Sequence, residues 1–416
     1  MLEEKKAQLT ISRSAKMRRK LRDAVIMDIA EFGLSRTTHR SVAKRANVSL
    51  ASTTYYYETK MDMIKDASYV LAKKNLESMK AVPKRRLSDP QFAVTFRDFC
   101  VRSIAAGVAK KFRTPTIAWQ EIMIEAARND DLRSVAIEWF DGLEAIWLKL
   151  ANEFPGEFSE SLIRSALDST IGQIFLAQQF GFNSGDIYNI LDKNNNVAEC
   201  IKNKKYNNQL LDDPSLEKDG KKAQATRAKI LDAAIGLIED YGVSGVTHRA
   251  IAARAGLAPT APVYYFKNLE SLLQATQVQI FARAKARYRH VMAGIDYDAL
   301  KIDQLADLTS AVFMREVTEF KSVNLAELSV FMDFQRNPAL GPVMRDVSLD
   351  QYLAWDRLLK RIGYGARSMD AYLIYGLFIG KKLRILATGV QTHDLGRVRQ
   401  EFCEDITAMI DGKYLI

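Results

Sequence analysis

Residues 37–60 read TTHRSVAKRANVSLASTTYYYETK, and residues 246–269, 209 positions later, read VTHRAIAARAGLAPTAPVYYFKNL. In the first stretch Thr38 is a suitable N-cap, because its hydroxyl can accept from an amide left free at a helix start. Val42, Ala43 and Ala46 then put small apolar groups on one face of a short helix. Asn47 stands where the second stretch has Gly256, and both residue types tolerate the left-handed backbone that closes a helix and turns the chain. Val48 can plug the corner, and Ser49 can cap a second helix over 50–57. That helix presents Ser52, Thr53, Thr54, Tyr55 and Tyr56, whose short or flat side chains would let it lie deep in a major groove. Hydroxyls there can meet phosphate oxygens or base edges. Both stretches share Thr-His-Arg, Arg-Ala and Tyr-Tyr at one spacing, and each reads as a helix-turn-helix head.

Both heads resemble the TetR/AcrR family of bacterial transcriptional repressors, and most of all its branch with the pattern THR…VA…AGV…TTYYF. Here the pattern is Thr38-His39-Arg40, Val42-Ala43, Ala46-Asn47-Val48 and Thr53-Thr54-Tyr55-Tyr56-Tyr57. In the second copy it is Thr247-His248-Arg249, Ile251-Ala252, Ala255-Gly256-Leu257 and Val263-Tyr264-Tyr265-Phe266. Asn47 replaces the usual Gly, and Leu269 replaces the Lys that Lys60 supplies in the first copy. The resemblance implies an all-α chain of two tandem TetR-like units. Each would have an N-terminal three-helix DNA-binding domain followed by a helical ligand-binding and dimerisation domain. DNA contacts are expected from Thr38, His39, Arg40, Ser49, Ser52, Thr53, Thr54, Tyr55, Tyr56 and Lys60 in the first head. In the second they are expected from Thr247, His248, Arg249, Thr260, Tyr264, Tyr265 and Lys267. Ala261, Pro262 and Val263 replace three hydroxyls of the first head, so the second should make fewer polar contacts. Pro262 suits only a first turn, which moves the expected helix start to Thr260.

The charge follows the heads. Of a net +10, residues 1–64 carry +6 and residues 218–273 carry +3. Clustered Lys and Arg on a reading head would neutralise phosphates and release counterions. The three cysteines, Cys100, Cys200 and Cys403, have no paired spacing, which fits a reducing compartment. No apolar run approaches ~18 residues, and the N-terminal stretch lacks the apolar core of a signal peptide. A cytoplasmic, nucleoid-associated bacterial protein with no membrane partner is expected. No phosphate loop, nucleophile elbow or helical His pair occurs, so no enzyme activity, metal or cofactor is expected.

The expected order is a loose basic arm over 1–18, a first head over 19–64 and a first helical regulatory domain over 65–200. A polar linker over 201–226, a second head over 227–273 and a second regulatory domain over 274–416 follow. The first helix of each head should bury a stripe: Leu21, Val25, Ile29 and Phe32 in one, Ile230, Ala234, Ile238 and Tyr241 in the other. Outside the heads, Glu121-Ile122 pairs with Glu327-Leu328, Arg128-Asn129 with Arg336-Asn337, and Trp147 with Trp355, which suggests that the whole unit was doubled. Trp119, Met123, Trp139, Phe140 and Trp147 are candidates to line an apolar effector cavity in the first body. Phe313, Phe331, Phe334, Tyr352 and Trp355 are the candidates in the second, and for both sets simple core packing is the competing reading.

Family resemblance implies that the last two long helices of each unit, 161–179 with 187–200 and 369–387 with 398–410, form a four-helix interface. Pairing within one chain would give a pseudo-dimer on an imperfect-palindrome operator; pairing between chains would give a homodimer. The expected function is sequence-specific DNA binding by a ligand-responsive repressor with a small apolar effector. The rival is an architectural or partner-docking DNA-binding protein without ligand control and with one degenerate head.

Overall fold

The structure, a computed structural model, describes residues 2–89, 91–191, 196–203, 220–292, 300–334, 336, 341–361, 367–411 and 414. Among these residues the regular elements are all helices. The first series opens with α1 (Leu2–Phe32), α2 (His39–Arg45), α3 (Leu50–Tyr56) and α4 (Lys60–Lys80). It continues with α5 (Val82–Ser88), α6 (Phe96–Val108), α7 (Arg113–Ala126), α8 (Asp130–Ala151), α9 (Glu160–Gln179), α10 (Ser184–Leu191) and α11 (Val197–Lys202). The second series is α12 (Lys221–Tyr241), α13 (His248–Ala255), α14 (Ala261–Tyr265), α15 (Leu269–Met292), α16 (Ile302–Val317), α17 (Lys321–Phe334), α18 (Gly341–Arg361), α19 (Ser368–Thr388) and α20 (Thr392–Ile410).

Side-chain caps set many of the starts. Thr38, Thr59 and Thr95 each close a capping box, while Ser49, Asn129 and Ser159 each accept from an amide of the following turn. Each such cap contributes about 1 kcal/mol. The expected loose arm is helical instead, since α1 runs unbroken from Leu2. Pro115 falls in the first turn of α7, where its missing amide has no helical acceptor to lose. Most of the expected linker lies outside the described residues.

The stripes of the two first helices are buried at Leu21, Val25 and Ile29, and at Ile230, Ala234 and Ile238. Their fourth members are not: Phe32 is 40% exposed and Tyr241 63% exposed. Both stand at a helix end beside a left-handed glycine, Gly33 at φ 84° and Gly242 at φ 71°.

The aromatic cavity candidates pack as core. Phe96 and Phe99 both pack against Trp147, and both meet Phe154. Trp119 lies 4.4 Å from Trp139, which lies 4.7 Å from Phe140, and Met123 is fully enclosed. In the second body Phe313 meets Phe378 and Phe402, Phe331 meets Phe175 and Phe281, Trp355 meets Phe378, and Tyr352 is buried. Ring edges pack against one another there, as aromatic stripes commonly do. Trp139 borders a small cavity of about 200 Å³ against α4. The Phe334 side chain lies outside what is described.

The halves of the chain meet chiefly where α9 runs along α19. A Cβ on Gly172 would lie 1.8 Å from the Gly376 carbonyl oxygen, and one on Gly380 would lie 1.8 Å from that of Asp168. Glycine is therefore required at both contacts for the backbones to approach so closely. Gln173 donates from Nε2 to the Tyr372 carbonyl at 2.7 Å. Beside this contact Arg384 grips Asp168 through two hydrogen bonds, of 2.8 and 2.9 Å. Lys381, fully buried, pairs with Asp168 at 3.4 Å and with Glu401 of α20. Arg164 of α9 reaches the same Glu401 at 3.3 Å.

Candidate nucleic-acid interface

The first motif is assembled as its residue types require. The Thr38 hydroxyl accepts from the Ser41 amide at 3.1 Å, and the Ser41 hydroxyl accepts from the Thr38 amide at 2.8 Å. Asn47 takes the left-handed turn at φ 46°. Ser49 accepts from the Ser52 amide at 3.1 Å and starts α3. The second motif repeats the plan: Thr247 caps Ala250 at 3.1 Å, and Gly256 makes the turn at φ 64°. Helix α14 is shorter, with Pro262 in its first turn and Thr260 at the N-cap position without a side-chain cap bond.

Each motif ends in an edge-on tyrosine pair. Tyr55 and Tyr56 have ring centres 5.1 Å apart at 86°, and Tyr264 and Tyr265 have theirs 5.2 Å apart at 82°. The outer ring of each pair stands free, Tyr55 at 82% and Tyr264 at 84% exposure. The inner rings are held by arginines: Arg18 lies 5.4 Å from the Tyr56 ring centre and Arg227 lies 5.8 Å from that of Tyr265. The same guanidinium groups cover Tyr57 and Phe266 at 5.6 and 5.1 Å. A cation over an aromatic face is attracted by the ring quadrupole. Arg18 closes the stretch expected as a basic arm and Arg227 opens the second head; in the fold both brace the tyrosines.

Several expected contact residues do face outward. Arg40, Ser49, Thr54, Arg249, Thr260 and Lys267 are exposed, with Ser52 half-buried beside them. Thr38 and Thr247 are exposed while also capping their helices. His39 and His248 are half-buried.

Thr53 is a correction. It is fully buried, its hydroxyl donates to the Leu50 carbonyl at 2.7 Å, and it packs α3 onto its support. Lys60 also departs from expectation. Its ammonium turns inward and donates to the Ser35 carbonyl at 2.6 Å, and burial lowers its pKa. The shared Arg-Ala pairs are structural too, since Arg45 binds Asp28 and Glu31 of α1, and Arg254 binds Asp240 of α12 at 2.6 Å.

Below Tyr57, its hydroxyl donates to Asp66 at 2.5 Å and Arg22 donates to the same carboxylate at 2.7 and 2.8 Å. Burial would raise the Asp66 pKa, but the bonds from Arg22 and Tyr57 outweigh it and hold the carboxyl below its ordinary value. This ties α3 to α1 and α4, so the motif moves with its supports.

Two arginines join each half to the motif of the other. Arg128, just past α7, donates to the Ile238 and Glu239 carbonyls at the end of α12, at 3.3 and 3.2 Å, and to the Ser329 hydroxyl at 3.2 Å. Arg336, just past α17, donates to the Ile29 and Ala30 carbonyls near the end of α1, at 3.1 and 3.3 Å. Arg336 also pairs with Glu121 at 3.0 Å. A guanidinium there meets the negative end of the helix dipole; the Ile29 and Ile238 carbonyls also accept from the Gly33 and Gly242 amides, both at 2.9 Å. Sequence comparison within the chain marked both arginines as repeat positions and gave them no role. It also matched Glu121 to Glu327; in the fold Glu121 faces Arg336 as Ser329 faces Arg128, while Glu327 binds Arg287 at 3.1 Å.

Between the two motifs lies a cavity of about 880 Å³, reached by residues of α1, α4, α7, α12, α15 and α17. Among the described side chains, none of the aromatic candidates lines it.

Comparison with known proteins bears on this arrangement. The family model "Bacterial regulatory proteins, tetR family" matches residues 230–276, the second motif with its supports. "HTH-type transcriptional regulator UidR" of Escherichia coli K12 is 23% identical over 193 residues, 46% of this chain and 93% of that protein. "Tetracycline repressor protein class D" of Escherichia coli is 34% identical over 61 residues, 15% of this chain and 28% of that protein. The class H repressor of Photobacterium damsela subsp. piscicida matches to the same extent. Among the described residues no helix is long and apolar enough to cross a membrane.

Proposed function

We propose that the chain is a DNA-binding transcriptional regulator of TetR type and that one chain is a complete operator-binding unit: two TetR-like units in tandem, folded together as a pseudo-dimer. It represses by occupying an imperfect palindrome and is released by a small molecule. The observation that carries this reading is the paired geometry of the motifs, in which Tyr55 and Tyr264 stand equally free and Arg18 and Arg227 brace their neighbours alike. The union of α9 with α19 supports it, since each half finds its partner in the same chain. So does the UidR match, because 93% of a whole regulator aligns with 46% of this chain.

In this reading each motif enters a major groove, with centres about one helical turn, ~34 Å, apart. Arg40, Lys44, Arg249 and Lys267, all exposed, meet phosphates. Ser52, Thr54 and Tyr55 face bases in one half-site, and Thr260, Val263 and Tyr264 in the other. The second set has fewer hydroxyls, so the half-sites differ in sequence and in strength.

The test is selection of bound duplexes from random DNA, followed by sedimentation of the best complex. One 47.0 kDa chain per duplex is expected. Two chains per duplex would point to a homodimer and overturn the pseudo-dimer. Retention of every sequence alike would favour the architectural alternative.

A further inference from the structure

We propose that the cleft between the two motifs is an effector site for a small organic cation with an apolar body. The inference rests on the operator-binding reading above and names the place and chemistry of its trigger. At about 880 Å³ the cavity has the size that holds drug-like ligands. Its floor carries Glu125 and Asp333, which hold matching places one turn before Arg128 and Arg336. Burial raises the pKa of both carboxyls, so each gains from a cation placed beside it. Arg36, Lys60, Arg128 and Arg336 also line the cleft, and Arg128 lies 3.7 Å from Glu125, so an incoming cation shares that carboxylate with it; three of these four positive groups are also tied to main-chain carbonyls. Arg128 and Arg336 donate to helix-end carbonyls, and Lys60 donates to the Ser35 carbonyl. An anion would also meet Glu121, which accepts from Arg336 and from the Leu34 amide. Phe32, Met61, Tyr241 and Leu273 offer apolar walls above the carboxylates.

The position gives such a ligand leverage. It would touch the ends of α1 and α12 and the first turns of α4 and α15, which carry both motifs. A ligand that fits one motif spacing better than the operator does weakens DNA binding, and DNA weakens the ligand by the same factor.

The probes are tetraphenylphosphonium and tetraphenylborate, which share a shape and differ in charge. Calorimetry on the full chain without DNA should show binding of the phosphonium and none of the borate. Joint Glu125→Gln and Asp333→Asn substitutions, which preserve shape, should weaken phosphonium binding by about tenfold or more. Met61→Trp, which fills the cleft and leaves the charges alone, should weaken it as well. Equal binding of both probes, or affinity untouched by these variants in chains that melt normally, would overturn the site. Phosphonium that binds yet leaves operator affinity unchanged would overturn its role as effector. Operator affinity without either probe is measured separately, so a failure of DNA binding is told apart from a failure of the cleft.

Discussion

Thr53 and Thr54 are adjacent hydroxyl residues on α3, and only the second reaches solvent. A helix rotates each successive side chain by about 100°, so residue type alone cannot say which of two neighbours faces a groove. The threonines, the tyrosines and the turn at Asn47 were legible; the rotation of the helix was not, because it is set by what lies beneath. Thr53→Ala should therefore lower stability by about 1 kcal/mol, read from a urea midpoint, and leave the operator affinity of the folded protein unchanged. Tyr55→Ala should do the opposite: an unchanged midpoint with operator affinity reduced roughly tenfold or more by fluorescence anisotropy. A matching loss for Tyr264→Ala is expected in the second half-site, and an unaffected complex would mark that motif as idle. Lys60 misled for a related reason. A lysine at a helix start looks solvent-bound in sequence, whereas here the loop after α1 offers it the Ser35 carbonyl.

At the scale of elements, the helices and their order were largely readable from apolar spacing and caps; of the expected four-helix interface the fold shows α9 against α19, while the helix expected over 187–200 is two, α10 and α11. The charges buried at the α9–α19 seam were not readable. Asp168, Lys381, Arg384, Glu401 and Asp405 look like surface residues in a helical pattern until α9 and α19 cross on their glycines. Gly172→Ala should cost about 1–3 kcal/mol or more, because a methyl there meets backbone that cannot yield. The network also predicts a pH response. Asp405 accepts from Ser165 at 2.8 Å, and Lys381, Glu401, Asp168 and Tyr414 surround it. Burial pushes its carboxyl up to about 8, against the pull of Lys381. Between the ordinary carboxylate range and that value the folded chain holds a proton that the unfolded chain has lost, so this group's stabilisation falls as pH rises. Glu401 acts in the other sense. Burial opposes its ionisation, but Lys381 holds it down to about 2, so its contribution is lost only as pH falls through the acid range. Urea midpoints from about pH 5 to about pH 9 should decline in the parent, and Asp405→Asn should flatten that decline.

For the whole molecule, what joins reading to pairing is the crossed pair Arg128 and Arg336. Each guanidinium leaves its own body and holds the end of the first helix in the opposite half. Separation of the motifs is then fixed by polar contacts as well as by the α9–α19 seam, and those contacts lie far from the exposed tyrosines. Hydrogen bonds from a charged donor contribute about 1.5–3 kcal/mol when buried. Loss of one should loosen a motif without unfolding a body. Arg128→Ala should raise hydrogen exchange at the end of α12 and spare α1, while Arg336→Ala should do the reverse and also free Glu121. Both should weaken operator binding although neither side chain belongs to the proposed DNA-facing surface. The salt dependence of binding should keep its slope, because no phosphate contact has been removed. A changed slope would place these arginines on the DNA; an unchanged affinity would mean that the seam alone sets the spacing.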